Sequence, residues 1–295
     1  MGYMYQAKKI IDAHQHYWQI SREDYGWLTP ELRLLYRDYM PDMLEPHLSE
    51  NGVVGTIAVQ AAATVAETEF LLELSESNNT MLGVVGWIDL DSEDASDTYF
   101  RLRSSTRLVG FRPTLYNLKE NNLALQPRVV RNLQMLAAEG MPLDLVLPSE
   151  QLSYVVPLHR QVPDLRVVLD HLGSPDVKNP EAFNDWAECI SAIALHPEAM
   201  CKISGMITLS GGYDPELLKP YVAHVVDAFG MNRVMFGSDW PVALLAGGYD
   251  EVIRLFFNSL PQGLCPEDID RIAWRNALDF YRIQENLASR DLGEA

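Results

Sequence analysis

Positive charge is scarce in this chain. Its 295 residues include 23 Lys and Arg against 41 Asp and Glu, a formal net charge of −18. A surface with that balance repels phosphate backbones and anionic lipid headgroups, so nucleic acid and membrane surfaces are not expected as partners. A small ligand is still compatible, because a pocket can be locally positive on an acidic protein. Cysteine is scarce as well. Cys189, Cys201 and Cys265 form no CxxC pair, and an odd count provides no disulfide framework. A reduced compartment is the simpler reading. No apolar run approaches the ~18 residues of a membrane span. The opening residues, MGYMYQAKKIIDAHQHYW, lack the apolar core and small-residue cleavage site of a secretory leader. A cytoplasmic protein is expected. No sequence motif recurs, and no Gly/Ser linker or shift of composition divides the chain, so one domain is expected over residues 1–295.

What the chain does have is a recurring pattern. Short apolar runs end in polar residues or glycine, and helix-like segments follow. The runs are KIIDAH (9–14), GTIAVQ (55–60), LGVVGWID (82–89), RLVGFRP (107–113), LDLVLP (143–148), LRVVLDHLG (165–173), MCKISG (200–205) and RVMFGSDWP (233–241). Their apolar character on both faces suits parallel strands covered by helices. Between them lie amphipathic stretches such as VVRNLQMLAAEG and PYVAHVVDAFG, each closed by a glycine of the kind that ends helices. Strand and helix alternating eight times predict an α/β fold, the (β/α)8 barrel. Residues 17–46 are too many for a simple strand-to-helix connection and are expected to form a long loop over the barrel mouth.

Barrel enzymes carry their active sites at the C-terminal ends of the strands. The polar residues that end the runs are His14 and His16, Gln60, Asp89, Arg112, Asp144, His171, Lys202 with Ser204, and Asp239. Strand side chains alternate with a period of two, so His14 and His16 should share a face, and Asp12 with them. Two imidazoles from one strand end can hold one metal ion. Each of these residues alone has an ordinary structural explanation. Together, His14, His16, His171 and Asp239 fall at the ends of strands one, six and eight. Gln60, Arg112 and Lys202 are candidate substrate-binding residues, Arg112 as a fork for a carboxylate or sugar oxygens. Trp18, Trp27 and Trp240 are candidate apolar walls for a ring. Arg33 and Arg37 fall in the long loop. Asp144 has no assigned direction, and Asn276 reads as a packing and capping residue.

DAHQHYW, LDHLG, GSDWPV and RNALDFY, spread over essentially the whole chain, resemble the amidohydrolase superfamily. More narrowly they resemble its amidohydrolase-2 branch, which contains L-fuconolactonase- and L-rhamnonolactonase-type sugar lactonases and 2-pyrone-4,6-dicarboxylate lactonase. The resemblance implies a carboxylic ester hydrolase of carbohydrate catabolism acting on a small-molecule lactone. It makes Asp239 the residue that activates water, and His14, His16 and His171 its catalytic partners. The same four, His14, His16, Asp239 and His171, would be the ligands of a metal. Two-metal relatives place a lysine at the end of strand four and a histidine at the end of strand five. Here those places hold Arg112 and Leu147-Pro148, so a two-metal site is not expected. One divalent ion, zinc first, remains open beside metal-free hydrolysis, which the branch also contains. The runner-up substrate is a carboxylated lactone or pyrone of aromatic degradation. A decarboxylase, and a barrel that binds a ligand without turning it over, stand further back. The particular lactone and the oligomeric state, including a homo-oligomer, are left open.

Overall fold

The computed structural model describes residues 9–115 and 126–284. Strand and helix alternate along the chain. In order they are β1 (Ile10–Gln15), α1 (Pro41–Glu50), β2 (Val53–Val59), α2 (Val65–Glu76), β3 (Met81–Gly86), α3 (Ala95–Leu102), β4 (Leu108–Phe111), α4 (Pro127–Ala138) and β5 (Leu143–Leu145). They continue as α5 (Val155–Gln161), β6 (Val167–Leu169), α6 (Phe183–Ala194), β7 (Ala199–Ile203), the short α7 (Met206–Ser210), α8 (Pro215–Phe229), β8 (Val234–Phe236), α9 (Tyr249–Ser259), α10 (Pro266–Asp270), a π-helical turn (Arg271–Arg275) and α11 (Asn276–Tyr281).

The eight strands pair in parallel, in sequence order from β1 to β8. Each of the eight apolar runs read from the sequence overlaps one of them. Between β8 and β1 the seam is closed by Asp239 N–H donating to His14 O at 2.7 Å and His16 N–H donating to Trp240 O at 2.7 Å. The architecture is the expected (β/α)8 barrel. Ile11, Ala13, Ile57, Val59, Val85, Val109, Val168, Met200 and Met235 fill the barrel interior. A larger apolar layer lies between strands and helices and includes Leu71, Leu133, Ile190, Val222 and Phe256. No described helix is long and apolar enough to cross a membrane.

Three departures from the sequence reading affect the site. The segment after β1 ends sooner than expected, because α1 begins at Pro41, whose fixed φ suits a first helical position. Within that segment Trp18 is wholly buried. Its indole N–H donates to the carbonyls of Leu35 (3.3 Å) and Arg37 (2.8 Å), and its ring packs on Tyr39 and Trp27. Third, the strict two-residue period fails in β1. Asp12 pairs with Thr56 but Gln15 with Ala58, three steps against two. This bulge leaves Asp12 on the outer face, where it accepts from Ser238 N–H (2.8 Å) and the Tyr249 hydroxyl (3.0 Å) of α9, and turns His14 inward.

Candidate active site

His14 and His16 reach the barrel mouth from the end of β1, His171 from just beyond β6 and Asp239 from just beyond β8. Two of these residues have left-handed backbone, His171 at φ 55° and Asp239 at φ 62°. Non-glycine residues are uncommon there, and such conformations persist where the surroundings over-determine them. For Asp239 the determinants are its N–H bond to His14 O and the preceding Gly237. A Cβ on Gly237 would stand 2.6 Å from His14 Cβ and 3.1 Å from Ser204 Cβ. The glycine of the GSD turn therefore lets β8 approach β1 closely enough to set Asp239 beside both histidines.

His16 Nδ1 lies 2.7 Å from Val59 O, an acceptor only, so Nδ1 carries a proton and Nε2 faces the site. Nε2 lies 3.3 Å from Asp239 Oδ1. Burial lowers the pKa of His16, against the hydrogen bond to Asp239. Burial also opposes ionisation of Asp239, but His171, His16 and His14 outweigh it and bring that carboxyl down to about 2. At that distance the pair is satisfied either by a proton on His16 Nε2 or by a cation between the two groups. His14, His171 and Asp239 each offer one ligand atom, all within 4.8 Å of one another. Two imidazoles and a carboxylate suit a zinc-like ion.

His14 is wholly buried, and burial lowers its pKa well below the usual 6.5. Its Nε2 lies 3.3 Å from Arg112 Nη1 and 3.9 Å from Asp239 Oδ1. Its Nδ1 lies 3.2 Å from Asp170 Oδ1. His171 Nδ1 lies 3.0 Å from Ser204 Oγ, and a Cβ on Gly205 would meet that ring nitrogen at 2.7 Å. Arg112 also donates to Gln60 O, and Gln60 Nε2 donates to Arg112 O at 2.9 Å. Gln60 and Arg112 line a cavity of about 510 Å³ that Trp27, Asp24 and Thr114 share. Trp27 is 41% exposed, with its indole N–H on Ala61 O at 2.8 Å.

Other expected residues are not brought to the cavity. Trp18 and Trp240 do not line the cavity. Trp240 is buried against Tyr17 and Tyr39, so both indoles are packing. Lys202 does not line the cavity. It is wholly buried and ion-paired with Asp144 and Asp170. Asp144 points into the barrel to meet it. Asp89 is exposed and caps the N–H of Asp91, and Arg33 and Arg37 are exposed. Asn276 donates to Met231 O and Val234 O beneath β8, a packing role. The sequence reading passed over Asp170 and Asp24. Asp170 was legible, since it lies two residues after the inward Val168 and next to His171. Asp24 is placed by the folding of the long segment and had no signal in the pattern.

A parallel barrel gathering imidazoles and a carboxylate at the C-terminal ends of its strands has the build of a barrel enzyme. The chain belongs to the amidohydrolase family, whose profile matches residues 11–283. It is 34% identical over 278 residues to an L-fucono-1,5-lactonase of Burkholderia ambifaria, covering 92% of this chain and 95% of that protein. An L-fucono-1,5-lactonase of Burkholderia multivorans is also 34% identical, over 83% of this chain and 86% of that one. Among solved structures, an amidohydrolase from Burkholderia multivorans with bound zinc superposes with a TM-score of 0.86 at 31% identity, over 93% of this chain and 99% of that one.

Proposed function

We propose that this protein hydrolyses the cyclic ester of a sugar lactone of the L-fuconolactone type, in the cytoplasm. The observation that carries the reading is the convergence of His14, His16 and His171 on an ionised Asp239 beside the cavity of Gln60, Arg112 and Trp27. The likeness to two L-fucono-1,5-lactonases over most of the chain supplies the substrate class.

Asp239 takes a proton from water as the water oxygen attacks the lactone carbonyl. The carbonyl oxygen becomes an oxyanion that Arg112 stabilises with a charged N–H. The tetrahedral species collapses, the ring C–O bond breaks, and His171 or the protonated Asp239 delivers a proton to the departing alkoxide. The product is the open-chain hydroxy acid. His14, His16, His171 and Asp239 would hold one divalent ion, zinc by likeness to the Burkholderia multivorans structure. Such an ion, when bound, polarises the carbonyl or lowers the pKa of water toward ~7. Gln60, Thr114 and the face of Trp27 suit hydroxyl groups on an apolar ring.

The alternative substrate, a carboxylated lactone or pyrone, is less well served. Among the described residues lining the cavity Arg112 is the only cation, and Asp24 places a carboxylate there. A second substrate carboxylate would face Asp24 without a positive partner of its own. The test is proton release on five- and six-membered aldonolactones beside a pyrone dicarboxylate, before and after chelation. Turnover of the fucono-type lactone, lost on chelation and restored by zinc, is expected. Turnover of the carboxylated compound alone would sink the sugar reading, and full activity after chelation would remove the metal.

A further inference from the structure

We propose that Lys202 is a positioning residue: its ammonium, packed between Asp144 and Asp170 beneath His14, holds Asp170 against His14 Nδ1 and so presents Nε2 to the reacting groups as a lone pair. The inference rests on the reading that His14 works at the reacting end of the site.

His14 Nδ1 has two charged neighbours at the same distance, Asp170 Oδ1 at 3.2 Å and Lys202 Nζ at 3.2 Å. One is an acceptor and the other a donor, and a ring nitrogen can satisfy only one of them. The other nitrogen breaks the tie. Nε2 lies 3.3 Å from Arg112 Nη1, and a guanidinium can only donate. Nε2 must therefore be the lone pair, Nδ1 carries the proton, and that proton goes to Asp170. Lys202 spends its own donors on the two carboxylates, pairing with Asp144 Oδ2 and lying 3.3 Å from Asp170 Oδ1. Asp144 is fixed from its other side by the Tyr281 hydroxyl, at 2.8 and 3.0 Å from its two oxygens.

The chain runs from Tyr281 at the C-terminal helix through Asp144, Lys202 and Asp170 to His14, and its side chains are buried throughout. His14, Asp144 and Asp170 also bring one atom each within 4.8 Å, a donor set fit for a cation. The ammonium of Lys202 lies among these three groups. Without it two carboxylates would be left together in the barrel with one imidazole proton between them. Asp170 would then keep Arg112 Nη1, 3.5 Å from its Oδ2, but would lose the ammonium on Oδ1, the oxygen that faces His14 Nδ1.

The test begins on the wild-type protein. Selective ¹⁵N labelling of histidine, read by NMR after chelation, should show His14 with its proton on Nδ1. A proton on Nε2 overturns the proposal whatever any variant does. The second arm compares Lys202→Met with Lys202→Met/Asp144→Asn, which removes the pair together and so restores the charge balance. The double variant should regain most of the thermal stability that the single one loses. In both, kcat should stay down by about tenfold or more with KM little changed. Zinc should bind about tenfold more weakly by calorimetry, the size of effect seen when support of a ligand is removed. Recovery of kcat and zinc affinity along with stability would reduce Lys202 to a partner for Asp144 and end the proposal. If the wild type turns over no lactone, the tautomer and zinc measurements still decide the role of Lys202, so the two failures are distinct.

Discussion

At the scale of single residues, Asp239, the base of the proposed mechanism, has an unusual backbone. Its φ of 62° suits Asn nearly as well as Asp, since both tolerate the left-handed region. Asp239→Asn should therefore fold normally while removing the base. Expected is a loss in kcat on the order of 10²–10⁴-fold with an unchanged melting temperature. A variant that keeps kcat within tenfold would remove Asp239 from the chemistry, and would favour a barrel that binds without turnover. The residues of this centre were readable from the sequence because each ends a run whose direction is set by the fold. What supports them was less readable. Lys202 read as a substrate contact because a strand-end lysine in sequence looks the same whether its partner is a ligand or two buried carboxylates. Only the side-by-side pairing of β5, β6 and β7 shows that the carboxylates were already there.

At the scale of elements, strand positions were legible and fine direction was not. A bulge in β1 adds one residue and turns Asp12 away from the face of His14. Nothing in IIDAHQHYW marks that shift. The segment from β1 to α1 was legible only as long. Its aromatics divide by role: Trp18 is sealed inside, with Tyr39 bridging it to Trp240, while Trp27 reaches the cavity. Trp18→Ala should cost about 3–5 kcal/mol of stability, measured by denaturant unfolding. Trp27→Ala should leave stability within about 1 kcal/mol, as surface changes do, and raise KM for the lactone. The reverse pattern would mean that the packed and exposed indoles have been exchanged. Gly237 tests the β8–β1 seam in the same way. Gly237→Ala forces a methyl against His14 Cβ and should cost about 1–3 kcal/mol, the usual range for overpacking, together with most of the activity. A variant of wild-type stability and rate would show that the seam has slack.

At the scale of the whole molecule, the excess of acidic residues makes the pH dependence of stability a property of individual buried carboxyls. Glu67 on α2 is the clearest case. It accepts from Ala61 N–H at 3.1 Å and from the Tyr25 hydroxyl at 2.9 Å, tying α2 to the segment above the barrel. Arg22 Nε lies 3.6 Å away. Burial outweighs these partners and raises its pKa from 4.5 to about 7. A carboxyl that holds its proton more tightly when folded adds stability below the unfolded value of 4.5. That contribution is lost as pH rises through about 7. The shift corresponds to about 3 kcal/mol at roughly 1.4 kcal/mol per unit. Glu67→Gln keeps an acceptor for Ala61 and removes the titration. Unfolding free energies of the two proteins should diverge in favour of the variant between pH 4.5 and 7 and run parallel above that range. The paired difference matters, because the other carboxyls change the stability of both proteins alike and cancel. A difference that stays flat across that interval would mean that Arg22 holds Glu67 ionised, and that the link between α2 and the mouth of the barrel is an ion pair.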